Sequence, residues 1–201
     1  MRPHYLAGWL ALRATTWLLW GVRSRGAGRV PARGAVVVAC NHISNWDPVL
    51  VGLACRRELH FLAKEELFRN RLFGGLIRAM NALPVRRGAL DRRALGLAVG
   101  VLRRGGVLLV FPEGTRSRNG EIGEARPGVA YIASTGGAVI VPAAIAGSHE
   151  LMRALVRRRR VRIVFGEPFD AGEARSREEY EALTERIMAA VGELRRSLET
   201  P

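Results

Sequence analysis

The chain has 201 residues, 48% of them hydrophobic, with nine prolines, which is enough for one domain with its own core and marks no second one. Two cysteines, Cys40 and Cys55, are too few for a secreted disulfide scaffold and lack the paired spacing of a zinc site, so a reducing compartment and no structural metal are expected. The net charge is +14, with 27 basic and 9 acidic side chains in residues 1–166 but 5 and 9 in residues 167–201. Such a basic body suits nucleic acid or an anionic membrane surface, and charge alone does not choose between them.

Residues 5–22, YLAGWLALRATTWLLWGV, are mostly apolar, broken by Arg13 and followed by Arg23 and Arg25. A cleaved signal peptide fits poorly because the charge follows the apolar run. A full span is marginal, since ~20 uninterrupted apolar residues are needed. At helical spacing Leu6, Trp9, Leu10, Trp17 and Trp20 share one side, which points to a helix lying in the membrane interface, with Arg13 snorkelling. The other reading is a helix packed on the domain's own core. Residues 1–34 are therefore taken as a membrane-associated helix and a Gly- and Arg-rich linker, ahead of a domain over 35–201.

The run AVVVAC at residues 35–40 is apolar without alternation, as in a strand buried on both faces of a parallel sheet. Further strands are predicted over 59–63, 82–85, 107–111, 138–145 and 161–165, with helices over 90–103, 128–135 and 177–198. This alternation predicts an α/β fold, a mostly parallel sheet flanked by helices. Residues 67–80, LFRNRLFGGLIRAM, read either as a second membrane-facing element or as a surface helix with an ordinary core face.

Two segments at strand ends carry chemistry. After the first strand comes NHISNWDP, residues 41–48, and ligands of open α/β sheets sit outside the carboxyl ends of strands. Asp47 before Pro48 reads as a helix N-cap with Pro in the first helical position. It also stands within a turn's reach of His42, close enough to fix the imidazole tautomer and stabilise its charged form. With no convincing nucleophile nearby, His42 reads as a general base acting on a hydroxyl. Ser44 is assigned to hydrogen bonding within the turn, and Cys40 to an inert buried thiol. After the strand over 107–111 comes FPEGTRS, residues 111–117. Gly114 allows close backbone approach, and Thr115, Arg116 and Ser117 suit a phosphate. Glu113 reads either as an ion ligand or as a brace of the turn.

Together, N-H-x-S-x-x-D followed by F-P-E-G-T-R-S resembles the glycerolipid acyltransferase family, and the resemblance extends over roughly residues 35–147. A family segment ending in Arg corresponds to residues 83–87, with Arg87 at the matching position and Asn81 where the family has Gly. Val139-Ile140-Val141-Pro142 resembles its hydrophobic strand with Pro. Arg126 and Lys64, the chain's only lysine, match family basic residues; a solvent-exposed helix start is the other reading of Lys64. The resemblance implies that His42 deprotonates an acceptor hydroxyl with Asp47 in support. It further implies that Glu113, Gly114, Thr115, Arg116 and Arg87 bind a glycerophosphate, with Asn41, Ser44, Lys64, Ser117 and Arg126 in support. The implied reaction moves a fatty acyl group to the sn-2 hydroxyl of lysophosphatidic acid from acyl-CoA or acyl-carrier protein, a co-substrate, with no cofactor and no metal. It also implies a membrane lipid substrate and a place on the cytoplasmic face of the cell membrane, peripheral or monotopic.

The run Arg157-Arg158-Arg159-Arg160 with Arg162 suits anionic headgroups, an acidic carrier protein or nucleic acid, and a solvated face is the first reading. No nucleic-acid partner is expected, because no groove-reading or base-stacking motif accompanies the charge.

Overall fold

Val36, Val37 and Val38 are fully buried although their side chains point to both sides of the sheet, so strand β2 (Val36–Cys40) is covered on both faces. The structure is a computed structural model that describes residues 9–10, 15–16, 21–86, 91–117, 123–150 and 161–198. The remaining elements are β1 (Arg23–Arg25), α1 (Asp47–Ala54), β3 (Leu59–Lys64), α2 (Arg71–Ala79), β4 (Ala82–Val85), α3 (Arg92–Arg103), β5 (Val107–Val110), α4 (Gly128–Thr135), β6 (Val139–Ala146), β7 (Arg162–Phe165), β8 (Phe169–Asp170) and α5 (Arg177–Ser197).

The strands run in the order β1-β7-β6-β2-β5-β3-β4, with β8 also beside β6. β6, β2, β5, β3 and β4 are mutually parallel, and β7 and β8 are antiparallel to β6. Right-handed crossovers settle the layers. The connections from β2 to β3 and from β3 to β4 advance in one direction, so α1 and α2 lie on one face, where Leu50, Val51 and Ile77 pack with Val36, Val38 and Leu109. The connections from β4 to β5 and from β5 to β6 run backwards, so α3 and α4 lie on the other face. There Ala98, Leu102, Val129 and Ile132 pack with Val37 and Leu108, joined by Leu183 and Ile187 of α5.

The predicted strands and the helices α3, α4 and α5 fall within a residue or two of their predicted places, while β1 and β8 were not predicted. Asp91, whose side chain accepts from Ala94 N–H, caps α3 and sets its start. The linker assignment over residues 21–34 is corrected in part: Arg23–Arg25 forms β1 against β7, and Val30 enters the core. An exposed Arg-Ser-Arg strand joined by backbone bonds alone has no hydrophobic pattern to announce it. Residues 67–80 form two pieces, a 3-10 turn (Glu65–Phe68) and α2, whose N-cap is Asn70. Pro142 sits inside β6 with its carbonyl accepting from Gly166 N–H at 2.7 Å, just past the end of β7. The side that lacks a donor therefore faces the break between β7 and β8, where pairing ends.

Among the described residues no helix is long and apolar enough to cross a membrane. Most of the predicted N-terminal helix, Arg87 and the basic run 157–160 lie outside the described residues. Trp9 and Leu10, expected on one side, diverge: the Trp9 indole donates to Gly52 O of α1 at 3.1 Å, whereas Leu10 is exposed.

Candidate active site

β2 hands on to a helix on one face and β5 to a helix on the other, so their adjacent carboxyl ends open a crevice at the point where the chain's direction of winding switches. Both predicted motifs leave the sheet there. Asn41 extends the ladder beyond β2: its amide donates to Ile145 O at 3.0 Å and its oxygen accepts from Ile145 N–H at 2.8 Å. The next residue, His42, is thereby held just outside the sheet.

Asp47 is fully buried. It is the first residue of α1, and Trp46 occupies the N-cap position, so the expectation that Asp47 caps the helix is corrected. Its carboxylate turns backwards into the preceding turn. Oδ2 accepts from Ile43 N–H at 2.7 Å, from Ser44 N–H at 2.7 Å and lies 2.8 Å from His42 Nδ1. Oδ1 accepts from Ser148 Oγ at 2.5 Å. A carboxylate surrounded by donors is an acceptor, so Nδ1 carries the imidazole proton and Nε2 presents its lone pair. The ring is stacked on Phe111, with centroids 4.0 Å apart and planes 16° from parallel.

The second motif is tied to the first through backbone. His42 N–H donates to Glu113 Oε1 at 3.1 Å, and Gly123 N–H to Oε2 at 3.0 Å. Ser117 N–H donates to His42 O at 2.8 Å. Glu113 is buried and engaged inward, which matches the bracing alternative. Gly114 adopts φ 67°, and a Cβ there would sit 3.3 Å from Arg126 Cδ and Nε, so the Arg126 side chain lies along this glycine. Thr115, Arg116 and Arg126 are exposed. Lys64 ends β3 at the same edge of the sheet, also exposed. Ser44 contributes its N–H to Asp47, and its hydroxyl accepts from Trp46 N–H at 3.3 Å.

Asn81 adopts φ 66°, the left-handed region in which Gly is favoured and Asn is the next best residue. The Asn that stands where the family has Gly therefore occupies a conformation that Gly would also favour. Burial pushes the Cys40 thiol well above its ordinary value, and the nearby carboxylates of Asp47 and Glu113 raise it further, consistent with an inert thiol beside the site. Ser148 was not marked by either motif. It lies 101 positions from Asp47 and only 1% exposed, and the one signal available was a hydroxyl directly after a strand end, in the IAGS that closes β6.

A buried His–carboxylate pair at the crevice of a parallel sheet, bound by backbone to a Glu-Gly-Thr-Arg turn, is the arrangement of an α/β enzyme with a general base. Residues 21–146 match the acyltransferase family, and the chain belongs to it. It is 30% identical over 194 residues to the 1-acyl-sn-glycerol-3-phosphate acyltransferase of Bacillus subtilis, an alignment covering 94% of this chain and 96% of that one. It is 31% identical to the enzyme of the same name from Streptococcus pneumoniae, covering 83% of this chain and 62% of that one. The crystal structure of the 1-acyl-sn-glycerophosphate acyltransferase PlsC from Thermotoga maritima superposes with a TM-score of 0.76 at 29% identity, over 94% of this chain and 76% of that one.

Proposed function

We propose that the protein acylates the sn-2 hydroxyl of lysophosphatidic acid to give phosphatidic acid, using a thioester of coenzyme A or of acyl carrier protein as donor. The relatives' named activities support the acceptor class, and the observation that carries the chemistry is His42 Nδ1 lying 2.8 Å from Oδ2 of buried Asp47. His42 Nε2 accepts the proton of the acceptor hydroxyl as its oxygen attacks the thioester carbonyl carbon. When the tetrahedral adduct collapses, the C–S bond breaks and the departing sulfur takes that proton from the imidazolium. Asp47 remains ionised and stabilises the transient positive charge. A thioester is already activated, so positioning and proton removal supply much of the rate.

The acceptor phosphate is read by Arg116 and Arg126, with Thr115, the Gly114 backbone and Lys64 alongside; Arg87 is assigned to the same role by the family resemblance of residues 83–87 alone. The enzyme works peripherally at the cytoplasmic face, where thioester donors are made, and two buried free cysteines suit that reducing side. The test is purified protein with detergent-dispersed lysophosphatidate and a panel of acyl-CoA and acyl-carrier-protein donors, with phosphatidate as readout. Turnover of lysophosphatidate is expected, and turnover lost about 10²–10⁴-fold in His42→Ala. Full activity in His42→Ala, or no acceptor preference for the phosphate headgroup, would overturn the reading. A relative named lyso-ornithine lipid O-acyltransferase, 30% identical over 131 residues, makes that lipid the acceptor to run beside it.

A further inference from the structure

Helix α2 is apolar on its outer side as well as its inner one. Gly74 and Ile77 face the core, and Gly74 is packed so closely that a Cβ would meet Phe68 O at 2.7 Å. This face alone seats the helix on the domain. Outside, Leu72 is 88% exposed, Leu76 57% and Phe73 46%, with Leu67 of the preceding turn at 42%. Among the described residues these are four of eight exposed large apolar side chains, gathered within ten positions. Arg69, Arg71 and Arg78 are exposed beside them.

We infer that this outer face of α2 and its preceding turn is a docking surface for an anionic bilayer. Leu72 and Leu76 stand one turn apart on one side of the helix, and exposed apolar side chains flanked by arginines match acyl chains below and phosphates at the headgroup level. Four such side chains present a few hundred Å² at most, well short of the ~800 Å² per partner of a stable protein interface. A second copy of the chain is therefore the poorer occupant.

The placement has a functional consequence. The 3-10 turn and α2 follow the carboxyl end of β3, the edge on which His42 and the Glu-Gly-Thr-Arg turn sit. Seating α2 on a bilayer brings that edge beside the headgroups, so an amphiphilic acceptor reaches the crevice without leaving the membrane. This deepens the proposed function and rests on it for that consequence alone.

The experiment uses the full chain and vesicles of phosphatidylcholine with and without phosphatidylglycerol, read by co-sedimentation. Leu72→Ser with Leu76→Ser is expected to weaken partitioning at least about tenfold. Arg69→Gln with Arg71→Gln should weaken it on phosphatidylglycerol vesicles only. Both variants change exposed side chains, so melting temperature and turnover of detergent-dispersed substrate stay as in the parent, while turnover on vesicles falls. Unchanged partitioning of the leucine variant would overturn the inference, as would a parent dimer that this variant dissociates without loss of vesicle binding. Binding involves no chemistry, so absence of lysophosphatidate turnover would count against the proposed function and leave the docking result standing.

Discussion

Asp47 concentrates the residue-scale argument. Four donors converge on one carboxylate with no exposed surface, so each contact limits its rotation, and the orientation that remains is the one that addresses His42. Asp47→Asn replaces an acceptor oxygen with an amide donor among N–H groups. It is expected to lose most activity and about 1–3 kcal/mol of stability, read by phosphatidate formation and urea unfolding. Ser148 holds the other oxygen, from a strand end across the crevice. Ser148→Ala should lower kcat about tenfold with little change in acceptor KM, and Ser148→Thr should restore it. Equal loss in both variants would make Ser148 a packing residue instead. Arg116→Ala acts on binding: acceptor KM should rise about 10–100-fold with kcat nearly intact if its guanidinium meets the phosphate.

At the scale of elements, the site depends on what holds strand ends and turns in register. Gly114 and Asn81 occupy left-handed conformations, one beside Arg126 and one leading into β4. Gly114→Ala should cost roughly 1–2 kcal/mol and displace Arg126, so acceptor KM should rise along with the fall in thermal stability. At the opposite end of the sheet, Arg57 donates to the carbonyls of Pro31, Gly34 and Gly105. It thereby fastens the segment entering β2 to the turn entering β5. Arg57→Ala is expected to lower stability by about 1–3 kcal/mol in urea unfolding while leaving activity per folded molecule unchanged. The elements themselves were largely legible in the sequence, because an apolar run without alternation can only be satisfied between two layers; the exact helix starts were set in the structure by the Asp91 cap and the Ser176–Glu179 capping box. β1 was not legible, because its pairing with β7 is made by backbone groups that every residue possesses.

For the whole molecule, the two buried thiols give a pH signature. Burial holds Cys40 and Cys55 above the ordinary thiol range. In the unfolded chain they ionise at the ordinary value, so as pH rises through it the unfolded state loses protons that the fold retains. Stability is thus full below that range and falls above it. Urea unfolding between pH 7 and 10 should show the decline, weakened in Cys40→Ala.

The sequence by itself determined the sheet's buried strands, the pairing of His42 with Asp47 and the presence of a second polar turn after β5, because each rests on residues within a few positions of one another. Only the tertiary structure decided that β2 and β5 are neighbours whose chains leave on opposite faces. That adjacency creates the crevice, sets Glu113 against the His42 backbone and brings Ser148 to Asp47. It also decided which side of α2 is covered. These outcomes depend on contacts 71 or 101 positions apart, which local periodicity and turn chemistry do not encode.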